Sequence, residues 1–355
     1  MRGAIERRRD KHNDRGVDMA RASLSSTVRR FACVALGLIL AGGVAAHHSV
    51  APFDRSSMQE LEGEITSITW RNPHIFLTLS VTDESGQTTD WSIEGDSANA
   101  AASRGYDRNT LSIGDHVRIA GWPSTRGRRE VFLINILHDG VETVLGALDA
   151  PLRWTESSGS LRTAVASEEL GRSIFRVWAP GGLYRPRGAI RYTPVAQVAR
   201  DAWDPLTDML ALHCIPPGMP NANMNPYPIG FTDEGERIRL DIEEWEATRY
   251  IDMVSEEIPA DAPASRLGYS IGRWVGDTLV IETAGMDFEY LDDEGTPMSD
   301  EARIVEQYTV NEDGSRLDYT VAVTDPVNLI GPAVWDAHWT YVPGTVIRSF
   351  ECEVE

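Results

Sequence analysis

Histidine is the side chain in this sequence whose placement most plainly invites chemistry. Of eight histidines, His47 and His48 stand together directly after a run of small and apolar residues. Cleavage after Ala46 would give His47 a free α-amino group, and an amine with one ring nitrogen can hold copper. Cleavage one residue earlier would leave Ala-His-His, whose third-position imidazole favours square-planar Cu(II) or Ni(II) with deprotonated backbone nitrogens. His74, in Asn72-Pro73-His74, could add a further imidazole if the N-terminus folds over that loop. The plainer alternative is a solvated terminus at His47 and His48 and a His74 that caps a turn after Pro73. The expected metal is therefore copper or another divalent transition metal. The chain has no HExxH, P-loop or dinucleotide fingerprint, so no nucleotide or organic cofactor is expected.

That terminus depends on a leader. Phe31 to Ala46 is an uncharged stretch of 16 residues behind the basic pair Arg29-Arg30, with Val44 and Ala46 at the −3 and −1 positions of a small-residue cleavage site. Basic, then apolar, then small is the order of a secretory signal peptide, and the run is short for a membrane span. Residues 1–46 are read as that leader, with Met19 the expected true start, and no transmembrane segment is expected after its removal. The protein would then be periplasmic or secreted.

Nine basic and four acidic side chains leave with the leader, taking the charge from −21 to −26 over the remaining 309 residues. Such a field repels phosphate backbones and anionic membranes, so nucleic acid is excluded as a partner. The single lysine is Lys11, which excludes Schiff-base chemistry from the mature part. Its two cysteines, Cys214 and Cys352, read as a disulfide in an oxidising compartment, which argues against His213 activating a thiolate at Cys214. Asp292-Asp293-Glu294 and Glu256-Glu257 have calcium-ligand chemistry but no EF-hand spacing, and are expected to form a solvated face.

The elements that must position these groups are mainly β. Leu61 to Trp70, His74 to Thr82, Thr88 to Glu94, His116 to Gly121 and Glu130 to His138 read as five strands. A short alanine-rich helix capped by Asp96 or Ser97 falls between the third and fourth. The order β-β-β-α-β-β is that of an OB-fold, assigned to residues 47–142. Residues 143–205 read as a linker with a docking helix at Pro194 to Trp203. The Pro-, Asn- and Gly-rich run 213–231 reads as an ordered loop or extended wrap. Residues 206–355 otherwise read as seven or so antiparallel strands, with hairpin turns at Gly276-Asp277 and Glu312-Asp313-Gly314. Together they would form a barrel or sandwich, lipocalin-like if its large side chains line an apolar cavity and a plain core if they fill it.

These motifs resemble known families. HHS after a leader, WRNPH (70–74), WSIEG (91–95) and Gly114-Asp115 before a strand resemble a bacterial exported family, domain of unknown function 6152. CIPPGMP (214–220), NPYPI (225–229), GRWVGDTLV (272–280) and SDEAR (299–303) resemble the uncharacterised extracytoplasmic β-domain that accompanies it. Neither resemblance implies an established activity. Relatives of the second domain tend to carry histidine where this chain has Asp252, Tyr269 and Met298. An Asp-Tyr pair could still run acid-base chemistry on a ketone or epoxide, which makes Tyr250, Asp252, Tyr269 and Arg273 candidate catalytic residues.

Two functions are thus expected. One is an exported protein that binds a metal, a small hydrophobic molecule, or both. The other is a cofactor-independent lyase, isomerase or hydrolase whose cavity lies in the second domain.

Overall fold

Alternation of apolar and polar side chains decides both halves of the molecule. In the computed structural model, which describes residues 52–147, 150–156, 173–182, 184–204, 207–225 and 227–353, helix makes up 9% and strand 42%. The leader, His47 and His48 lie outside the described residues. Among the described residues no helix is long and apolar enough to cross a membrane.

The first half contains β1 (Gln59–Thr69), β2 (Phe76–Thr82), β3 (Thr88–Glu94), α1 (Ala98–Ser103), β4 (His116–Pro123), β5 (Glu130–His138) and β6 (Val141–Val144). The strands run in the order β3-β2-β1-β4-β5, and a parallel pairing of β3 with β5 closes a five-stranded barrel of OB type. Closure needs close backbone contact: a Cβ on Gly121 would lie 2.0 Å from the Phe132 carbonyl oxygen, so only glycine fits there. Ser97 starts α1 by accepting the Ala100 N–H at 2.9 Å. Ile65, Leu79, Ile119, Leu133 and Ile136 fill the interior.

The second half contains β7 (Val177–Pro180), β8 (Arg185–Pro186), α2 (Pro194–Ala202), β9 (Ile229–Asp233), β10 (Arg237–Ile242) and β11 (Ala247–Asp252). It continues with β12 (Tyr269–Val275), β13 (Thr278–Ala284), β14 (Arg303–Val310), β15 (Arg316–Thr324) and β16 (Ala333–Thr340). The order β15-β14-β13-β12-β11-β10-β9-β7-β16 returns to β15, giving a nine-stranded barrel. Only β11 and β12 pair in parallel among its wall strands. The stretch expected to be a linker thus contributes wall: β7 bridges β9 and β16, and β8 adds to β16. A four-residue strand is too short to show alternation.

The interior of this barrel is filled. Tyr308 and Tyr319 pack with ring centroids 4.5 Å apart, Phe231 lies 5.2 Å from Tyr308, and Trp339 lies 5.4 Å from Tyr319. Among them sits an ion pair: Arg249 donates to both oxygens of Glu306 at 3.0 and 2.7 Å, the two side chains being 1% and 0% exposed. Ser270 and Thr283 accept from Arg249, and both tyrosine hydroxyls donate to Glu306. Of the two readings of the large side chains, the packed core holds among the described residues.

The expected disulfide between Cys214 and Cys352 is present. It ties the 213–231 loop to the chain's last residues, which bridge to Asn72 of the small barrel. A buried ion pair is costly to break on one side only. Glu306→Leu should cost about 3–5 kcal/mol in urea unfolding, whereas Arg249→Met with Glu306→Leu should cost markedly less. A single variant as stable as the double one would show that the pair is not buried as described.

Candidate functional site

Three asparagines at alternate positions organise the region between the barrels. The loop 213–231 crosses it, and its short helical turn at Asn221–Asn223 directs successive amides to different neighbours. Asn223 donates to the Tyr308 hydroxyl at 2.6 Å, and its carbonyl accepts from Tyr184, which anchors the loop in the core of the large barrel. Asn221 donates to Asp293 at 2.6 Å. Asn225 donates to both oxygens of Glu244, at 3.0 and 2.8 Å. The Trp339 indole N–H fixes the next turn by donating to the Tyr227 carbonyl at 2.9 Å.

Glu244 itself comes from the turn after β10. There Trp245 (φ 58°) and Glu246 (φ 50°) both adopt the left-handed region, uncommon for non-glycine residues and costing on the order of 1–3 kcal/mol each. The neighbouring Glu243 accepts from Asn99 of α1 at 3.2 Å, while Asn72 donates to Asn99 at 3.0 Å. The Arg348 backbone N–H also donates to Glu243, at 2.8 Å. Tyr227, Trp245 and Phe350 complete the seam, with Phe350 5.6 Å from the first ring and 5.0 Å from the second.

Above this seam lies a cleft of about 830 Å³. Phe53, Trp122 and Phe132 form its small-barrel wall, the last two rings stacked at 5.7 Å. Tyr184, Tyr192, Trp203, Phe288, Tyr290 and Trp335 line the side of the large barrel. Its polar lining includes His74, Asp96, Asn221, Asn225, Glu244 and Asp293.

The ionisable groups are displaced from their ordinary behaviour. Burial pushes the Glu244 carboxyl well above the usual range; Asn225 opposes this, while Asp293 and Asp96 add to it. Burial likewise raises Asp293 to about 6, against the Asn221 hydrogen bond and with the help of Asp292 and Glu294. Burial pulls His74 toward the neutral form. Its neighbour Glu94, with an oxygen 2.8 Å from Nδ1, outweighs that and, with Asp96 and the Gly95 backbone, raises its pKa. At the rim, Arg200 of α2 pairs with Asp292 at 3.3 Å and Glu294 at 2.6 Å. The run 292–294 is therefore not the solvated face its composition suggests: its middle residue lines the cleft and its flanks hold an arginine.

Of the residues singled out by sequence, His74 belongs to this cleft. The other candidates in the large barrel do not line it. Asp252 and Tyr269 do meet, at 2.9 Å, but Asp252 also accepts from Val254 N, Ser255 N and Ser255 Oγ. Those donors, the Ser255 hydroxyl foremost, hold its carboxyl below the usual range, so it caps a turn and is a weak base. Tyr250 is 50% exposed beneath Arg237, and Arg273 is exposed and paired with Glu282 at 2.6 Å. Among the described residues no group of three or more His, Cys, Asp or Glu side chains gathers as a metal site. The residues that sequence reading missed are Glu244 and the asparagines, and Asp293 entered it only within an acidic run expected to be solvated. The alternation Asn221-x-Asn223-x-Asn225 was the available signal.

Residues 37–132 match a Family of unknown function (DUF6152), a span that includes His74, Glu94 and Asp96 and ends in β5. No curated protein matches the chain.

Asp293 makes the cleft visible in stability. Its native pKa lies above the unfolded value, so the native state binds the extra proton and stability falls as pH rises from about 4 to 6. Asp293→Asn should remove that slope and stabilise the protein by about 1–2 kcal/mol at pH 7, a figure discounted for solvent reaching the cleft. Parallel pH–stability curves for the two proteins would contradict the assignment.

Proposed function

We propose that this is an exported protein that takes a small, largely apolar molecule into the cleft between its two barrels and sets it against His74, Glu244 and Asp293. The observation that carries this reading is the cleft itself. Its volume of about 830 Å³ falls within the range of small-molecule sites, and aromatic side chains wall it from both barrels. Export is supported by the leader-like run Phe31 to Ala46 and by the Cys214–Cys352 disulfide, which suits an oxidising compartment. Displaced ionisable groups in a cleft are also what acid-base turnover of a bound molecule requires, so an enzyme of the lyase, isomerase or hydrolase kind would use these groups rather than Asp252 and Tyr269. The pairing of the two domains as one familial unit belongs to the same proposal, supported by the C-terminal motifs.

The neutral dye Nile red tests the cleft directly. It should bind saturably at one site per chain. Ala189→Trp, at the exposed part of the lining, should weaken binding at least tenfold without changing the circular dichroism. Absence of saturable binding, or binding indifferent to that substitution, would overturn the reading.

A second reading is favoured by one contact. Metal-ligating histidines commonly give their second ring nitrogen to a carboxylate, and Glu94 lies 2.8 Å from His74 Nδ1. His48 is five residues from Phe53 in the cleft wall, a tether of at most about 17 Å. A copper site built from His47, His48 and His74 would bind one Cu(II) per chain and lose it in His47→Ala with His74→Ala. Unchanged copper stoichiometry in that variant would remove it.

A further inference from the structure

Resting on the cleft as the binding site, a narrower statement follows from how its carboxyl groups are held. Negative groups elsewhere around the cleft have cations: Asp96 has Arg104 at 3.1 Å, Asp292 and Glu294 share Arg200, and Glu94 faces His74. Glu244 and Asp293 are held differently. Each is met by an asparagine amide, among the described residues no arginine forms an ion pair with either, and His74 acts on Asp293 through its charge alone. Glu244 is only 7% exposed. A carboxylate in such a place is unstable as an anion unless a positive charge comes to it.

The surroundings specify what kind of positive charge. Trp245, Tyr227, Phe288 and Tyr290 line the same cleft, and aromatic faces attract ammonium groups that have shed part of their water. A small metal ion held by ionisable side chains would need three or more His, Cys, Asp or Glu around one point, and no such group gathers among the described residues. Trp203, also in the cleft wall, has a buried indole N–H with no acceptor among the described residues, which leaves a donor for an oxygen on the ligand's body.

We infer that the cleft recognises an organic ammonium ion, its charged head between the Glu244 and Asp293 carboxylates and its apolar body against the aromatic walls. Binding is then coupled to proton release. The free protein keeps a proton on this pair in mildly acidic solution, and the arriving cation displaces it. The charged and titratable groups around the pair are Asp96 with Arg104 from the small barrel, His74 with Glu94 beside β2 and β3, and Tyr227 from the asparagine loop. Asp292 and Glu294 with Arg200 lie at the rim, and Arg55, over the Trp122 ring, lines the small-barrel wall. Within the pair, burial raises Asp293 to about 6, which centres the coupling near that pH.

Three probes of one shape test this with the full mature chain: phenethylamine, 2-phenylethanol and phenylacetate. Calorimetry at pH 7.5 should find the amine bound at least tenfold more tightly than the alcohol, and the carboxylate not bound. Below pH 6 the affinity for the amine should fall up to about tenfold per pH unit, with the alcohol unaffected. Titrations at pH 6 in two buffers of different ionisation heat should show net proton release. Glu244→Gln and Asp293→Asn, made singly, should each abolish most of the amine's advantage over the alcohol. An amine that binds no better than the alcohol, or whose advantage survives both substitutions, overturns the inference. If Nile red still binds in that case, the cleft stands and only its cation preference falls. If neither the probes nor Nile red bind, the cleft reading falls as well. The pH and buffer titrations use the unaltered protein, so they decide the matter even if a variant fails to fold.

Discussion

A carboxyl group taken out of water must be neutralised, paired or hydrogen-bonded, and in this molecule two of them are answered by asparagine. Glu244 and Asp293 are gripped by Asn225 and Asn221, while the residue between those asparagines, Asn223, is bonded into the core of the large barrel. One five-residue stretch therefore sets the barrel's end and the cleft's floor together. An amide can donate to a carboxylate or accept from a protonated carboxyl, so it holds either state in place. An arginine in the same position would have fixed the negative charge.

The rest of the fold serves to keep that stretch where it is. The disulfide fastens one end of the loop to the C-terminal residues, and those bridge to Asn72, one residue before the Pro73-His74 pair. Asn72, Asn99 and Glu243 form a chain of hydrogen bonds from the small barrel into the turn that carries Glu244. Trp245 and Glu246 pay for that turn in backbone strain, and the rings of Tyr227, Trp245 and Phe350 pack against it. The cleft is thus not a gap left between two separately folded barrels. Its two carboxyl groups, its histidine and its aromatic walls come from both, and each barrel's contribution is pinned by a residue of the other.

How much of this could be read in the sequence depends on which signals survive without coordinates. The small barrel was legible because its strands are β-rich segments parted by turns and Ser97 caps its helix, so element order gave the OB topology. The hairpins of the large barrel were legible for the same reason. Val177–Pro180 and Arg185–Pro186 were not, because strands of four and two residues carry no period. The site was legible only at His74. Glu244 and Asp293 sit in acidic runs that look like surface charge, and three asparagines in a proline-rich loop read as solvated polarity. Burial separates such residues from ordinary loop and surface positions, and burial of a polar side chain is decided by what the far ends of the chain bring to it. The Asp252 and Tyr269 pair shows the converse. The two residues do touch, but a carboxylate already satisfied by Ser255 and two backbone N–H groups has little basicity left.

The central claim is that the cleft between the barrels is a ligand site. Native mass spectrometry of the protein recovered from its own cells, set beside the Ala189→Trp form recovered in the same way, tests it most directly. The account predicts a retained small molecule of one defined mass on the unaltered protein and its absence from the filled-cleft variant. The same adduct on both proteins would place the ligand elsewhere and contradict the account.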